Sequence, residues 1–255
     1  MHLRLAIFMA LACAPAWAGT IVGNVKAQGK TGADSGGDGS DAAYASRKYK
    51  FVRTVDYPAM HDFVVFIEGN MGANGLPATN VASVTLPCCV ARQGMPANSA
   101  PGANVASVAT KRISQHGAMF EPHVLPIMVG TTVEWPNEDN IYHNVFSMSD
   151  AKQFDLGLYK GNPPEKRVTF DKPGRVDVFC SIHEDMHCIV LVLENPYFAS
   201  TDDKGDYKIS DVPPGSYKLK AWNERLPADE KDIVVPASGE VRADFTLTIK
   251  NLPQY

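Results

Sequence analysis

A seven-residue stretch of the sequence contains three side chains that bind soft or borderline metal ions. Cys180, His183 and Met186 follow the spacing C-x-x-H-x-x-M, and His143 lies 37 residues before the cysteine. Thiolate and thioether sulfur select copper(I), whereas imidazole binds both oxidation states of copper. Two histidines and a cysteine with a weak axial methionine are typical of blue-copper sites that transfer electrons. The sequence therefore predicts one mononuclear type 1 copper site.

The sequence does not by itself decide which residue is the fourth ligand, because two other possible donors are near Met186 in the loop. Glu184 and His187 stand beside Met186, and either could replace the thioether as axial ligand. Such a replacement would change the colour and the reduction potential of the copper site. Met186 is the expected axial ligand.

The chain has five cysteines, and their pairing has several solutions. A disulfide between Cys180 and Cys188 would remove the copper ligand and would leave the nearby histidines and methionine unexplained. We expect instead that Cys188 pairs with Cys88 or Cys89, although the connectivity cannot be read from the sequence.

Hydrophobic alternation predicts the strands that position these ligands. Val176 and Val178 share parity with Cys180, so the cysteine should point into the core as its strand ends. The apolar run 188–193 predicts a central strand covered on both faces. Period-two alternation predicts further strands at 133–135, 168–170, 217–221 and 241–249. No long amphipathic helix is evident, and the predicted fold class is all-β, with sandwich architecture.

The stretch from about residue 105 to residue 193 resembles a cupredoxin, especially the plastocyanin and amicyanin group. The ligand-loop spacing matches the short amicyanin loop, and two further segments, Phe120-Glu121-Pro122 and the V-G-x-x-V-x-W-x-N stretch at 129–137, resemble that family's strands. The resemblance implies a Greek-key β-sandwich over residues 105–194. It also implies the roles of individual residues: equatorial ligands His143, Cys180 and His183, axial ligand Met186, and Asn144 bracing the cysteine sulfur.

A second resemblance covers the C-terminal part of the chain. Residues 201–222, with the run V-P-P-G-S-Y-K-L-K-A-W at their end, resemble the carboxypeptidase-regulatory or transthyretin-like small β-sandwich. Strands similar to the opening ones of that family occur at 19–25 and 63–68. We predict that residues 19–68 and 195–250 form this module, with the cupredoxin inserted in it; a tandem order is the alternative. The module carries no candidate catalytic residue, and we expect a scaffold or docking role.

The N-terminus predicts export. Arg4, the apolar run 5–14 and the small-x-small motif at 16–18 are typical of a signal peptide over residues 1–18, cleaved near Ala18. The mature protein is then periplasmic or secreted. Acylation of Cys13, as in a lipoprotein, is the alternative. No later stretch is long and apolar enough to predict a membrane span.

Composition and missing motifs exclude several function classes. The net charge of −4 argues against nucleic-acid binding. No H-x-H pair occurs and no histidine adjoins Cys180, as multicopper oxidases and copper nitrite reductases require, so we expect no enzyme. His61, His116 and His123 have no spaced partners and are expected to be surface or core residues. Residues 69–104 form a Gly/Pro/Ala-rich insertion.

The predicted function is electron transfer between redox partner proteins, which the sequence does not identify. A periplasmic copper carrier or storage protein without electron transfer is the alternative. A structural or adhesive β-protein with a decayed metal site is a third interpretation. Copper titration followed by visible and spin-resonance spectra separates the three.

Overall fold

The computed structural model describes residues 18–29, 56–69, 110–161 and 166–249. Its regular structure confirms the all-β prediction. The strands in chain order are β1 (Gly19–Gln28), β2 (Val64–Ile67), β3 (Thr110–Arg112), β4 (Ser114–His116), β5 (Met119–Glu121), β6 (Val124–Met128), β7 (Thr132–Glu134), β8 (His143–Ser149), β9 (Lys152–Tyr159), β10 (Arg167–Thr169), β11 (Gly174–Phe179), β12 (His187–Leu193), β13 (Phe198–Ser200), β14 (Asp206–Val212), β15 (Gly215–Trp222), β16 (Asp229–Val235), β17 (Glu240–Arg242) and β18 (Phe245–Thr248).

Some predictions concern parts of the chain beyond the described residues. These are the signal peptide up to residue 17, the insertion from residue 70 to residue 104, and Cys88 and Cys89 within it. Within the described part of the chain, no helix is long and apolar enough to cross a membrane.

The middle of the chain forms a sandwich of two sheets and a short hairpin. The larger sheet has the order β6-β12-β11-β8-β9, the smaller one β10-β7-β3, and β4 pairs with β5. Trp135 is fully buried in the core of this sandwich and packs edge-on against Phe120. Both residues belong to the motifs that predicted the domain.

Strand β12 is central in its sheet and buried on both faces, as its apolar run predicted. It pairs antiparallel with β11 and parallel with β6. Alternate residues point into two different cores. The face toward the middle sandwich consists of Cys188, Val190 and Val192, and the opposite face consists of Ile189, Leu191 and Leu193. Burial of each large aliphatic side chain stabilises the folded state by about 1.5–3 kcal/mol. A polar residue on either face would therefore destabilise the fold.

The remaining strands form a second sandwich that joins residues from both sides of the middle one. One sheet has the order β14-β1-β17, with β18 also pairing β1, and the other the order β13-β2-β15-β16. The core between them includes Phe63, Leu219 and Phe245. Strands β1 and β2 thus pair with strands that follow β12. The insertion and the residue boundaries of the two units stay predictions.

The alternation at 241–249 predicted one strand, and the structure divides it into β17 and β18. The chain crosses close to β1 at this point: the N–H of Ala243 donates to the carbonyl oxygen of Val22 at 2.9 Å. A Cβ at Gly23 would overlap the carbonyl oxygen of Ala243, so glycine permits this approach. Alternate side chains point inward in both strands and in the two residues between them. The period-two pattern therefore continues across the break and does not indicate it.

Candidate metal centre

Three strand ends meet at one edge of the five-stranded sheet. β8 begins at His143, β11 ends at Phe179 directly before Cys180, and β12 begins at His187. β11 pairs antiparallel with both neighbours, and Phe179 lies opposite His187. The segment 180–186 is therefore the connection between two paired strands, and β8 places a histidine beside it.

Two backbone hydrogen bonds close this connection into a tight loop. The N–H of Cys180 donates to the carbonyl oxygen of Met186 at 3.1 Å, and the N–H of Met186 donates to the carbonyl oxygen of His183 at 3.1 Å. The local backbone thus holds the cysteine, histidine and methionine in one compact turn.

The predicted ligands His143, Cys180 and His183 come together, and we call them the cysteine cluster. The Nδ1 atoms of the two imidazoles are 3.0 Å apart, and the Cys180 Sγ is 3.6 Å from the His183 Nδ1. One donor atom from each residue lies within 4.8 Å of the others. His143 is fully buried, Cys180 is almost so, and His183 is half-buried. Two borderline nitrogens and one soft sulfur form a donor set that suits copper.

The orientation of His143 is set by Asp139, four residues before it. The His143 Nε2 lies 2.8 Å from the Asp139 Oδ2. Because a carboxylate only accepts hydrogen bonds, Nε2 carries the proton and the lone pair of Nδ1 is directed into the cluster. The pKa of Asp139 is lowered to about 2, chiefly by the N–H of Ala118 against the opposing effect of burial, with contributions from His143 and the N–H of Gly117. Asp139 was not predicted from the sequence, because its position four residues before His143 does not indicate the turn at Gly117 and Ala118 that holds its carboxylate.

Asn144 lies beside the cysteine sulfur. Its backbone N–H donates to the Cys180 Sγ at 3.4 Å, while its side-chain amide donates to the Asp155 Oδ1 at 2.7 Å. The N–H of Gly157 is the main cause of a lowered pKa of Asp155, and the Asn144 amide adds to it. The register between β8 and β9 shifts between Asn144 and Phe146, as at a β-bulge, and such bulges re-aim neighbouring groups.

Of the three candidates for a fourth ligand, Met186 alone is fully buried in the same core as Cys180. Glu184 is exposed to solvent. The His187 Nε2 lies 3.1 Å from the Asp177 Oδ1, and its ring stacks on a phenylalanine. The environment of Met186 thus supports the thioether as the fourth donor.

Among the described residues, Cys180 and Cys188 are both free thiols and both buried. A disulfide between them, one of the alternatives raised by the sequence, is therefore absent. The burial of Cys188 raises its pKa well above the usual range of a thiol. Cys88 and Cys89 lie outside the described residues, so the expected pairing of Cys188 with either of them stays a prediction.

The three histidines without spaced partners in the sequence differ in their environments. His61 and His116 have highly exposed side chains. His123 is partly exposed, contacts Glu224 at 3.0 Å and lies next to His187. The fold brings these residues together from distant parts of the chain, and no local spacing indicates it.

Comparison with known proteins finds relatives for both parts of the chain. The model of the family "Polysaccharide lyase family 4, domain II" matches residues 193–243. No curated protein matches the chain. Solved structures match about a third of it.

A copper-containing nitrite reductase, a purple cupredoxin and an amicyanin mutant are among those structures. A copper-containing nitrite reductase from Thermus scotoductus SA-01 is 32% identical with a TM-score of 0.32, and the match covers 34% of this chain and 23% of that one. A purple cupredoxin from Nitrosopumilus maritimus is 26% identical with a TM-score of 0.28, covering 32% and 98%. A point mutant of amicyanin in its reduced Cu(I) form is 25% identical with a TM-score of 0.29, covering 34% and 87%.

The chain combines two all-β units. One is the middle sandwich, called the cupredoxin-like domain after the sequence motifs that it contains, with the cysteine cluster at a sheet edge; the other is a fibronectin-III-like β-sandwich module. The small β-sandwich expected from the transthyretin-like resemblance is present. The family that matches part of it, over residues 193–243, is "Polysaccharide lyase family 4, domain II".

Proposed function

We propose that this chain is an exported copper protein that passes single electrons between redox partners through one mononuclear type 1 copper ion. The observation that carries the proposal is the convergence of the His143 Nδ1, the His183 Nδ1 and the Cys180 Sγ in a largely buried site. Met186 is the proposed axial ligand. When bound, copper supplies a one-electron couple between its two common oxidation states.

The protein groups around the cluster support rapid electron transfer because they hold the donors in place. Asp139 fixes the ring of His143, the N–H of Asn144 reaches the sulfur, and the closed loop carries the other donors. A donor set that is already positioned changes little when the charge at the site changes. The small rearrangement keeps the barrier to electron transfer low.

The half-buried ring of His183 is the proposed route for the electron. Exposed apolar side chains precede both histidine ligands in sequence: Ile141 and Tyr142 come before His143, and Ile182 comes before His183. Their exposures are 48%, 59% and 50%. Exposed apolar patches on soluble proteins often mark protein contacts, so we propose that the redox partner docks here.

Export to the periplasm or the cell exterior is a further proposal, supported by the signal-peptide features of residues 1–18. N-terminal sequencing of the mature protein should begin at Gly19 if cleavage follows Ala18.

The copper site is tested by titrating the full mature chain with Cu²⁺ and recording visible and spin-resonance spectra. We expect one copper per chain and an intense thiolate-to-copper band that Cys180→Ser abolishes. Cys188→Ala is the matched control, since it removes the second buried thiol of the described residues and should keep the band. Persistence of the band in Cys180→Ser contradicts the proposed ligand.

Electron transfer is tested separately from copper binding, by the rate of electron self-exchange in the copper-loaded protein. Fast exchange supports the proposal. Slow exchange together with transfer of copper to an acceptor protein indicates the alternative, a carrier. Absence of stoichiometric copper indicates a site that has lost its function.

A further inference from the structure

A second group of metal-binding side chains lies where the cupredoxin-like domain meets the β-sandwich module. His123 stands just before β6, His187 begins β12, and Glu224 follows β15 of the module. One donor atom from each residue lies within 4.8 Å of the others. We call these three residues the junction cluster.

The hydrogen-bond partners of the His123 ring require a cation between this ring and the Glu224 carboxylate. The His123 Nδ1 lies 3.1 Å from the carbonyl oxygen of His187. A carbonyl oxygen only accepts, so Nδ1 donates and the lone pair of a neutral ring is on Nε2. That Nε2 faces the Glu224 Oε2 at 3.0 Å. A lone pair directed at a carboxylate oxygen is stable only with a positive charge between them, either a proton or a metal ion.

The ring of His187 is oriented by the carboxylate of Asp177. The His187 Nε2 lies 3.1 Å from the Asp177 Oδ1, so it donates there and Nδ1 of the neutral ring keeps a lone pair. A carboxylate behind a histidine is the usual arrangement around protein-bound metals, because it fixes the tautomer and the ring. Asp177 is itself held by Arg175 through contacts of 2.6 to 3.1 Å.

Glu224 is available as an anionic ligand. Its burial acts to raise its pKa, but hydrogen bonds and charge from His123 and Arg225 lower the pKa overall. Arg225 donates to Oε1 at 3.0 Å and leaves Oε2 for the junction. The carboxylate is therefore ionised and only half of it is engaged by the arginine.

We propose that His123, His187 and Glu224 bind a divalent transition-metal ion of the zinc class, separately from the cysteine cluster. Two imidazoles and one carboxylate are a donor set that zinc accepts, with donors at about 2.0–2.2 Å from the ion. Tetrahedral donors are then about 3.3 Å apart, so a cluster within 4.8 Å closes by small side-chain rotations. The three side chains are 34%, 24% and 15% exposed, which leaves room for water as a further ligand.

The ion would join the two units of the chain. Two ligands belong to the cupredoxin-like domain and the third to the module, so binding ties the module to the first residue of β12. His187 directly follows Met186, and the junction ion therefore stabilises one end of the loop that carries the cysteine cluster. The site goes beyond the proposed electron transfer and does not require it.

The test is equilibrium dialysis of Zn²⁺ against the copper-loaded full chain, with metal content measured per chain. We expect one zinc in addition to the copper and an unchanged visible copper band. Changing a supporting residue around a metal typically weakens binding by about 10–100-fold, so loss of a ligand in His123→Gln or Glu224→Gln should weaken zinc binding at least about 100-fold.

The control is His61→Gln, the same substitution at an exposed histidine of the module, which should bind zinc as the unaltered chain does. Glu224→Gln keeps the size of the side chain and guards against a folding defect in His123→Gln. Equal zinc binding by all four proteins, or none by the unaltered chain, overturns the proposal and leaves an imidazolium–carboxylate ion pair at the junction. Because the altered residues lie outside the cysteine cluster, the difference in zinc content between the unaltered chain and these variants reports on the junction cluster, whether copper or zinc fills the other site.

Discussion

The cysteine cluster and the junction cluster both place two histidines around a third donor, yet they are built differently. The first is largely buried within one domain, and Asp139 and the N–H of Asn144 hold its donors. The second is partly exposed and takes its carboxylate from another unit of the chain. A closed, fixed donor set suits a resident redox metal. An open set that depends on the relative position of two units suits an ion that exchanges and holds those units together.

The largest expected effect is on copper binding, when a histidine of each cluster is replaced by glutamine. His143→Gln removes a buried imidazole donor, and we expect the thiolate-to-copper band and stoichiometric copper binding to be lost. His123→Gln leaves the donors of the cysteine cluster intact, and the band should stay. Visible spectra of both variants after copper titration give the result. Loss of the band in both would show that the clusters are not independent sites.

The next effect concerns the strand that connects them. Ile189 is fully buried on the face of β12 that points away from the cysteine cluster. Ile189→Ala should lower the free energy of unfolding by about 2–5 kcal/mol, through lost transfer energy and a cavity. The copper band should persist in the folded protein. Chemical denaturation measures the loss.

Ile141→Ala is the matched control for this stability change, because the same side chain is there 48% exposed. It should alter the unfolding free energy by no more than about 0.5 kcal/mol. If the two variants were equally stable, the face of β12 toward the module would not be a packed core.

A smaller effect is expected from the residue that orients His143. Asp139→Asn replaces an obligate acceptor with an amide that also donates, so the proton on Nε2 is no longer required. Copper affinity should fall by about 10–100-fold, which is about 1.4–2.7 kcal/mol. Competition with a copper chelator of known affinity measures it. Asp171→Asn, at a highly exposed carboxylate paired with Lys152, should have no effect on copper binding.

The ligand loop could be predicted from sequence because its donors are close together in the chain. Cys180, His183 and Met186 lie on one turn, and the alternation before the cysteine indicated that it would point inward. Asp139 was not predicted, although it lies only four residues from His143. Its role depends on the turn at Gly117 and Ala118, whose N–H groups hold the carboxylate, and an aspartate in a loop carries no such signal.

The junction cluster shows the opposite limit of sequence analysis. His123 and Glu224 are 101 residues apart and belong to units recognised by separate resemblances. Nothing in either motif indicates which faces of the two units touch. The shared core on one face of β12 determines that contact, and the run 188–193 predicted only that both faces would be buried. The break between β17 and β18 was missed for a similar reason, since it follows from a close approach to Gly23.

The smallest expected effect concerns the junction cluster without metal. The contact between His123 and Glu224 is partly exposed, and ion pairs in such positions contribute about 0–1 kcal/mol. Glu224→Gln should therefore change the free energy of unfolding of the metal-free chain by less than about 1 kcal/mol, as measured by denaturation after treatment with chelator. With zinc at about 100 times its dissociation constant, binding to the folded state alone should stabilise the unaltered chain by about 2.7 kcal/mol. The variant should show almost none of this gain. A large loss already in the metal-free variant would instead mean that Glu224 acts through packing and charge at the domain junction, and the difference between the two clusters would then lie in burial alone.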